Sequence, residues 1–407
     1  MINRSLIERI FSAASIERWN DHPRPIQFTE LAKQAHKMII AYVIARHEED
    51  QGTTIQWHAL IEGGIFEFLH RVILTDIKPP VFHKLMGHKI ERDKLNLWVI
   101  DRFKHELESL RPQLLERFRD YLLDESPSIH LERRILKAAH YLATKWEFDY
   151  IYEWSRPLYG IEGTRDEINR QIKEHDDLGA VKTMLLGREL PDSQKGIYGF
   201  IALVGQLRFQ KRWAQTPRVP ETSVLGHLLI VAILSYFMSI EIGACPRRLY
   251  NNFYGGLFHD LPEVLTRDII SPVKNSVEGL DDLIKEYERQ AMEEKIYPLI
   301  PIDWRPEIRY FTEDEFCNRI WLEGDKIPTN LEDRELDSSQ NKDEYNPIDG
   351  KIIEACDKLS AFVEASLSMR TGITSPALDE AKRKLYSRYA NKKLYGFPVG
   401  QLFDFFW

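Results

Sequence analysis

Cysteine is scarce in this sequence, and no hydrophobic run is long enough to cross a membrane. The three cysteines, Cys245, Cys317 and Cys356, show no C-x-x-C spacing. Free thiols in a reducing compartment explain them better than a disulfide scaffold does. The longest apolar run, His227 to Ile240, is shorter than the roughly 20 residues that a membrane span requires. It therefore predicts a buried core helix.

The sequence also lacks an excess of positive charge and the pattern of a signal peptide. Its 55 Lys and Arg against 63 Asp and Glu give a formal net charge of −8. This balance argues against a broad surface for nucleic acid or membranes. The N-terminal stretch MINRSLIERIFSAASIERWNDH is charged throughout and has no apolar core. We expect a cytoplasmic protein that binds neither nucleic acid nor membrane.

Helical periodicity dominates what is present. The chain has 407 residues, enough for two or three ordinary domains. Apolar residues recur at helical spacing over residues 28–50, 130–154 and 349–369, whereas strand alternation is nearly absent. The sequence therefore predicts an all-α fold.

An internal repeat divides the chain. The segment GGIF at 63–66 recurs as GGLF at 255–258, 192 residues later. Further ordered matches are Asp76-Ile77 with Asp268-Ile269, Pro80-Val81 with Pro272-Val273, Arg18-Trp19 with Arg212-Trp213, His36 with His227, His140 with Asp357, and 198–207 with 395–403. Helical composition alone does not predict matched glycines, prolines and tryptophans. We expect two homologous helical lobes, residues 1–205 and 206–407.

The second copy contains an insertion. The offset between matched residues grows to 217 at Asp357, so about two dozen extra residues lie before that position. The stretch at 322–348, rich in Asp, Glu, Asn and Ser, is the obvious place for them. Its composition predicts a surface loop.

Four residues of the second lobe form a candidate metal set. His259 and Asp260 are adjacent, His227 lies in the most apolar helix, and Asp357 lies in another apolar helix. A lone buried histidine is more often a satisfied core residue, and a lone aspartate is usually a cap. Together, however, two imidazoles and two carboxylates suit Mn, Fe, Co, Ni or Zn. A metal also removes the cost of burying unpaired carboxylates.

Pro262 predicts where the chain turns after this pair. Proline is tolerated in the first turn of a helix, so a new helix is expected to begin near Leu261 or Pro262. Glu263 then lies in its first turn, where the bland interpretation is a charge favoured by the helix dipole.

The order His, His-Asp, Asp resembles the metal signature of the HD phosphohydrolase superfamily. The finer pattern, HDxxEVLTxD followed by PVK, with RW about 15 residues before the first histidine, resembles the bacterial 5′-deoxynucleotidases. The resemblance covers roughly residues 207–274 and the helix around Asp357. It implies that His227, His259, Asp260 and Asp357 bind one divalent ion, with Mn or Co favoured. Gly226 departs from the pattern, because that family typically has Glu there.

The same resemblance implies roles for five further residues. Glu263 would serve proton transfer or orient the attacking water, and Asp268 would contact the sugar hydroxyl. Arg212 would lie near the phosphate and Trp213 would shape the pocket around the sugar. Lys274 would also contact the nucleotide. Without the resemblance, Arg212 and Trp213 would be read as a stacked surface pair and Asp268 as a loop cap.

The first lobe lacks most of this set. The aligned residues are His36, Glu67, Phe68, Arg71 and His140. Phe68 cannot bind a metal, and Arg71 places a positive charge where the proposed mechanism needs an acid. At most, His36, Glu67 and His140 remain as a weak three-ligand site. We expect a metal-free lobe that forms an internal pseudo-dimer with the second, since the resembled nucleotidases typically work as homodimers. The chain could also form a homodimer itself.

The sequence thus favours a metal-dependent phosphohydrolase of nucleoside 5′-monophosphates. A dNTP triphosphohydrolase and a cyclic-nucleotide phosphodiesterase are the alternatives among enzymes. A triphosphohydrolase needs more basic residues, which Arg247, Arg248 or Arg267 could supply after folding. A nucleotide-sensing regulator that uses the first lobe is the alternative of another class.

Overall fold

The chain folds into two compact helical units. The computed structural model describes residues 1–125, 130–267, 277–324 and 328–407. Unit 1 comprises Met1–Gly179 and unit 2 comprises Ala180–Trp407. The predicted all-α class is confirmed. The division between the units falls earlier than the lobe boundary at 205/206, which stays a prediction from the repeat.

Unit 1 is built on helices with one two-stranded antiparallel sheet. The strands are β1 (Glu17–Arg18) and β2 (Phe28–Thr29). The helices are α1 (Arg4–Ser12), α2 (Glu30–Asp50), α3 (Trp57–Leu74), α4 (Pro79–Gly87), α5 (Lys89–Leu110), α6 (Pro112–Leu123), α7 (Leu131–Ser155) and α8 (Ile161–Lys173). The side chain of Thr29 caps α2 by accepting a hydrogen bond from the backbone N–H of Ala32.

Unit 2 holds the remaining helices and one antiparallel sheet of three short strands. The helices are α9 (Gly179–Gly187), which begins at the last residue of unit 1, α10 (Gly196–Gly205), α11 (Val224–Glu241), α12 (Pro246–Phe258), α13 (Glu263–Thr266), α14 (Leu280–Ala291), α15 (Arg305–Thr312), α16 (Asp333–Ser338), α17 (Gly350–Arg370), α18 (Pro376–Tyr389) and α19 (Val399–Asp404). The strands are β3 (Asn318–Ile320), β4 (Thr329–Asn330) and β5 (Ile348–Asp349), in the order β4-β3-β5.

Helix α11 is the centre of unit 2, as its apolar sequence predicts. By length and composition it could cross a membrane, but 89% of it is buried inside the protein. Ser223 caps its N-terminus by accepting a hydrogen bond from the backbone N–H of Gly226. The cap fixes the first turn, and so it fixes the position of His227.

Glycine lets α12 approach α11 closely. A Cβ atom at Gly256 would lie 2.9 Å from Cα of Ala232 and 3.1 Å from the carbonyl carbon of Val231. Both of these atoms belong to the backbone of α11 and cannot swing aside. The absence of a side chain at Gly256 therefore sets how closely the end of α12 lies to α11.

The predicted insertion at 322–348 includes secondary structure. It contains β4 and α16 and reaches β5, although most of its described residues are exposed. Asn341 accepts a hydrogen bond from the backbone N–H of Cys245, and Asp343 accepts one from that of Arg247. These contacts attach the segment to the start of α12.

Candidate metal centre

Three helices bring the predicted ligands together. His227 lies in the first turn of α11, His259 follows the last residue of α12, and Asp357 lies on α17. The two imidazole rings have centroids 5.5 Å apart. His227, His259 and Asp357 each offer a ligand atom within 4.8 Å of the others. All three side chains are buried.

Asp260 completes the group. Its Oδ2 lies 3.0 Å from Nε2 of His259 and 3.8 Å from Nε2 of His227. Oδ1 of Asp357 lies 3.0 Å from Nε2 of His227. Two nitrogens and two carboxylates thus converge from 131 positions of the sequence on one small volume.

Both imidazoles are oriented through their other nitrogen. Nδ1 of His259 donates to the carbonyl oxygen of Gly256 at 2.9 Å, and Nδ1 of His227 lies 3.0 Å from Oγ of Ser360. Nε2 of each ring is buried and, among the described residues, makes no hydrogen bond of good geometry. A buried nitrogen that lies against a carboxylate without a hydrogen bond fits a metal ligand. The residues present therefore fit a divalent transition metal.

The ionisation of the group follows its charges. Burial opposes the charge of Asp260, but the imidazole of His259 lowers its pKa to about 2. Burial likewise opposes ionisation of Asp357, and Lys358 and His227 still hold its pKa well below the usual range. Burial and then Arg212 lower the pKa of His227. The carboxylates are thus ionised, and His227 is neutral, which are the forms that bind metals.

Arg212 and Trp213 lie beside this group. Nη2 of Arg212 is 3.9 Å from Oδ1 of Asp357, and its Nε donates to Glu364 at 3.3 Å. Nε1 of Trp213 donates to the same Glu364 oxygen at 2.9 Å. The backbone of Trp213 is left-handed, with φ of 58°. Such a conformation is costly for a non-glycine residue and is held here by the indole contact.

Glu364, Lys358 and Ser360 are the residues that sequence reasoning missed. Glu364 is fully buried and also lies 3.7 Å from Arg218. Lys358 Nζ lies 2.7 Å from Oδ2 of Asp357. Glu364 follows Asp357 by seven residues, which places both on one face of α17. That spacing was a signal for Glu364.

Glu263 faces a cavity next to the metal group. Helix α13 begins at Glu263 with Pro262 as its cap, within a residue or two of the predicted start. The cavity has a volume of about 150 Å³ and is also lined by His259 and Asp260. Seven carboxylates line it against the two cations Lys285 and Arg289. Its own field therefore repels a phosphate unless a metal ion is present.

Two predicted residues cannot be placed. Asp268 and Lys274 lie outside the described residues. Of the arginines considered for a triphosphate, Arg248 is fully buried and bidentate to Asp349, at 2.6 and 2.8 Å. Arg247 is 3.1 Å from Glu307. Neither lines the cavity.

Unit 1 repeats part of this geometry with different residues. Trp19 has the same φ of 58° as Trp213, and its Nε1 donates to Glu147 at 2.8 Å. Arg18 Nε also donates to Glu147, at 3.0 Å. Glu147 follows His140 by seven residues, as Glu364 follows Asp357.

Lysine side chains contact two of the aligned residues in unit 1. Lys37 forms an ion pair with Glu67, and the ammonium group of Lys33 contacts His140. His36 packs edge-on against Trp146, with ring centroids 5.2 Å apart. The cations thus lie where the second unit collects metal-binding atoms.

Comparison with known proteins finds a similarity to one family within unit 2. No curated protein matches the chain. The crystal structure of an HD-domain phosphohydrolase from Listeria innocua is similar, with 20% sequence identity and a TM-score of 0.37 over 50% of this chain and 84% of that chain. Residues 204–386 match the HD domain family. The matched part of the chain contains His227, His259, Asp260 and Asp357.

Proposed function

We propose that this protein is a metal-dependent phosphohydrolase that releases phosphate from ribo- or deoxyribonucleoside 5′-monophosphates. The observation that carries the proposal is the pair of buried Nε2 atoms of His227 and His259, which face Asp260 and Asp357 without forming hydrogen bonds. The match of residues 204–386 to the HD domain family supports the same reaction class.

One divalent ion would be held by His227, His259, Asp260 and Asp357. Imidazole and carboxylate ligands together favour Mn or Co, with Fe, Ni and Zn as alternatives. Such an ion supplies a water of lowered pKa and a contact to a phosphate oxygen. Ser360 and the carbonyl of Gly256 orient the two imidazoles for this task.

Arg212 and Lys358 supply positive charge for the phosphate. Each lies within 4 Å of Asp357, so each is next to the place where a phosphate oxygen would meet the metal. The guanidinium of Arg212 is held by Glu364, which keeps it in position before substrate arrives.

Glu263 is the proposed proton carrier. It is buried and lines the cavity beside His259 and Asp260. A carboxylate in that place can accept a proton from the attacking water or orient it. Trp213 is proposed to shape the pocket around the sugar, with Asp268 contacting a sugar hydroxyl and Lys274 the nucleotide.

A monophosphate fits the described surroundings better than a triphosphate. The side chains of Arg247 and Arg248 are engaged elsewhere, and among the described residues Lys285 and Arg289 are the lysine and arginine that line the cavity. A triphosphate carries more negative charge than these two groups can balance against seven carboxylates.

The repeat supports an origin by duplication. Non-glycine residues with positive φ are uncommon, and two pairs of them recur at the spacing of the sequence repeat. Trp19 and Trp213 both have φ of 58°, and Thr75 and Arg267 have φ of 59° and 66°. We therefore keep the two-lobe division at 205/206 and an internal pseudo-dimer as proposals.

Metal analysis with a substrate panel tests the function. The full chain is purified, stripped of metal, reloaded with Mn²⁺ or Co²⁺, and assayed for phosphate release from nucleoside mono-, tri- and cyclic phosphates. Asp357→Asn is expected to lower metal affinity and turnover by more than about 100-fold, because loss of an outer partner alone typically costs 10–100-fold. Asp282→Asn, an exposed change on α14, is the matched control.

Two outcomes contradict the proposal. Tight metal binding without phosphate release from any of these substrates would remove the hydrolase activity. Phosphate release that persists at the wild-type rate in Asp357→Asn would show that the four residues do not form the reactive centre.

A further inference from the structure

Unit 1 contains a cavity that is larger than the one beside the metal centre. Its volume is about 570 Å³, compared with about 150 Å³ for the cavity beside the metal centre. Its walls come from α3, α4, α5 and α7, together with the ends of α6 and α8. Pockets of this volume typically hold a small organic ligand. The cavity includes Glu67, Arg71 and His140, the positions aligned with His259, Glu263 and Asp357.

The lining of this cavity is basic. It holds five cations and three carboxylates, namely Arg71, Arg92, Arg133, Arg134 and Lys137 against Glu67, Asp124 and Glu174. Most of these charges are paired, since Arg92, Arg133, Arg134 and Lys137 each have a carboxylate partner and so do the three acids, whereas Arg71 has none among the described residues. Glu67 pairs with Lys37, Asp124 lies 3.3 Å from His130, and Glu174 lies 2.5 Å from Arg170. The cavity therefore attracts an anion without the help of a metal ion.

Arg71 has unused hydrogen-bond donors. Within the described ranges, its guanidinium forms no hydrogen bond and has no carboxylate within 4 Å. Its Cζ lies 4.0 Å from the centroid of the Phe82 ring, which holds the group in place at the cavity wall. A half-buried guanidinium with free donors is suited to bidentate contact with a phosphate.

Lys33 lies behind this wall. It is fully buried, and its ammonium contacts the imidazole of His140 instead of a carboxylate. Among the described residues no carboxylate lies within 4 Å of it. Burial lowers the pKa of Lys33 well below its usual range, and a phosphate next to Arg71 and His140 would favour its protonated form.

Aromatic side chains line the remainder of the cavity. Phe82, Tyr121 and Tyr141 are all part of its wall, and the hydroxyl of Tyr141 lies 3.3 Å from Nε2 of His83. Flat rings of this kind stack on a planar ligand group. The lining thus offers cations for a phosphate and rings for a base.

We infer that the cavity of unit 1 binds a small organic phosphate with a planar ring, of the nucleoside phosphate class, and needs no metal to do so. Arg71 receives the phosphate and the aromatic wall receives the ring. The inference does not rest on hydrolysis in unit 2, because binding and turnover involve different residues.

Calorimetric titration of the metal-free full chain tests this site. The probes are AMP, inorganic phosphate, and adenosine as the ligand without a phosphate. AMP is expected to bind, and adenosine to bind at least tenfold more weakly. Arg71→Gln is expected to weaken AMP binding by about 10–100-fold, since a charge-assisted hydrogen bond is lost. Arg102→Gln, an exposed change on α5, should leave binding unchanged.

A second variant guards against misfolding. Lys137 is 53% exposed, so Lys137→Gln cannot disturb the core, and it should weaken AMP binding by about two- to fivefold. The inference is overturned if AMP fails to bind the metal-free wild type, or if Arg71→Gln and Lys137→Gln both bind it as tightly as the wild type. It is also overturned if binding is lost in Asp260→Ala, which would place the ligand in unit 2.

Discussion

Replacing Gly256 with alanine tests how the fold positions the metal centre. The new Cβ would lie 2.9 Å from Cα of Ala232, whereas ordinary contacts of this kind begin near 3.4 Å. The two helices must therefore separate by roughly 0.5 Å, because backbone atoms cannot rotate away. His259 is carried at the end of α12 and His227 on α11, so the shift changes the distance between the two imidazoles.

The expected effects can be given in order of magnitude. Overpacking costs about 1–3 kcal/mol, and alanine in a helix regains about 1 kcal/mol over glycine, so the net loss of stability is about 0–2 kcal/mol. Metal sites tolerate only about 0.2 Å in ligand distance. We therefore expect metal affinity to fall by about tenfold or more, a larger effect than the change in stability.

Gly64→Ala is the matched control, since Gly64 is the repeat partner of Gly256. Its new Cβ would meet the end of the Met38 side chain, which is flexible and can move. Metal affinity should be unchanged in this variant. The assay is competition for Mn²⁺ or Co²⁺ with a chelating dye. The reasoning fails if Gly256→Ala binds metal like the wild type, or if Gly64→Ala is the more damaging change.

Three further predictions concern the same unit. Burial opposes protonation of His259, but Asp260 raises the pKa of its imidazole to about 8. Because the protonated ring cannot bind metal, the apparent metal affinity should fall about tenfold per pH unit below pH 8. Competition with a chelator measures this affinity, and an affinity that does not change with pH would contradict the prediction. Ser360→Ala should weaken metal binding by about tenfold, while the exposed Ser387→Ala should not. Burial raises the pKa of Glu364, but Arg218 and Arg212 hold it at about 2, below its unfolded value of about 4.3. The ionised side chain therefore contributes about 3 kcal/mol to the free energy of unfolding above pH 4.3, and this contribution is lost as the pH falls toward 2. In urea unfolding, Glu364→Gln should have a lower free energy of unfolding than the wild type at neutral pH, and this free energy should change less between about pH 4.3 and pH 2. The same loss of stability with falling pH in the variant and the wild type would contradict the prediction.

The helical class and the position of the site were accessible from the sequence because they depend on local patterns. Apolar periodicity predicts α11 and α17, and the motif around His259 names residues that the fold does bring to His227 and Asp357. The glycine repeat also marks the residue that permits the approach of α12 to α11.

What the sequence did not reveal depends on contacts between distant residues. Glu364 holds Arg212 and Trp213 across about 150 positions of the chain, and its seven-residue spacing from Asp357 does not reveal these two partners. The strands β3, β4 and β5 are two or three residues long, too short to show alternation. From the sequence, Arg71 is only a replacement of the acidic residue aligned with Glu263. The structure places Arg71 on the wall of a basic cavity.

Because the two cavities have opposite charge, phosphate binding in each would depend on a different property of the solution. Attraction to the basic walls of unit 1 comes from side chains alone, so it weakens steadily as ionic strength rises. Under the proposed function, the acidic cavity of unit 2 would admit a phosphate only with a bound cation, so its occupancy would follow the concentration of divalent metal. One polypeptide would thereby bind the same class of solute at two sites, one sensitive to ionic strength and the other to the concentration of divalent metal.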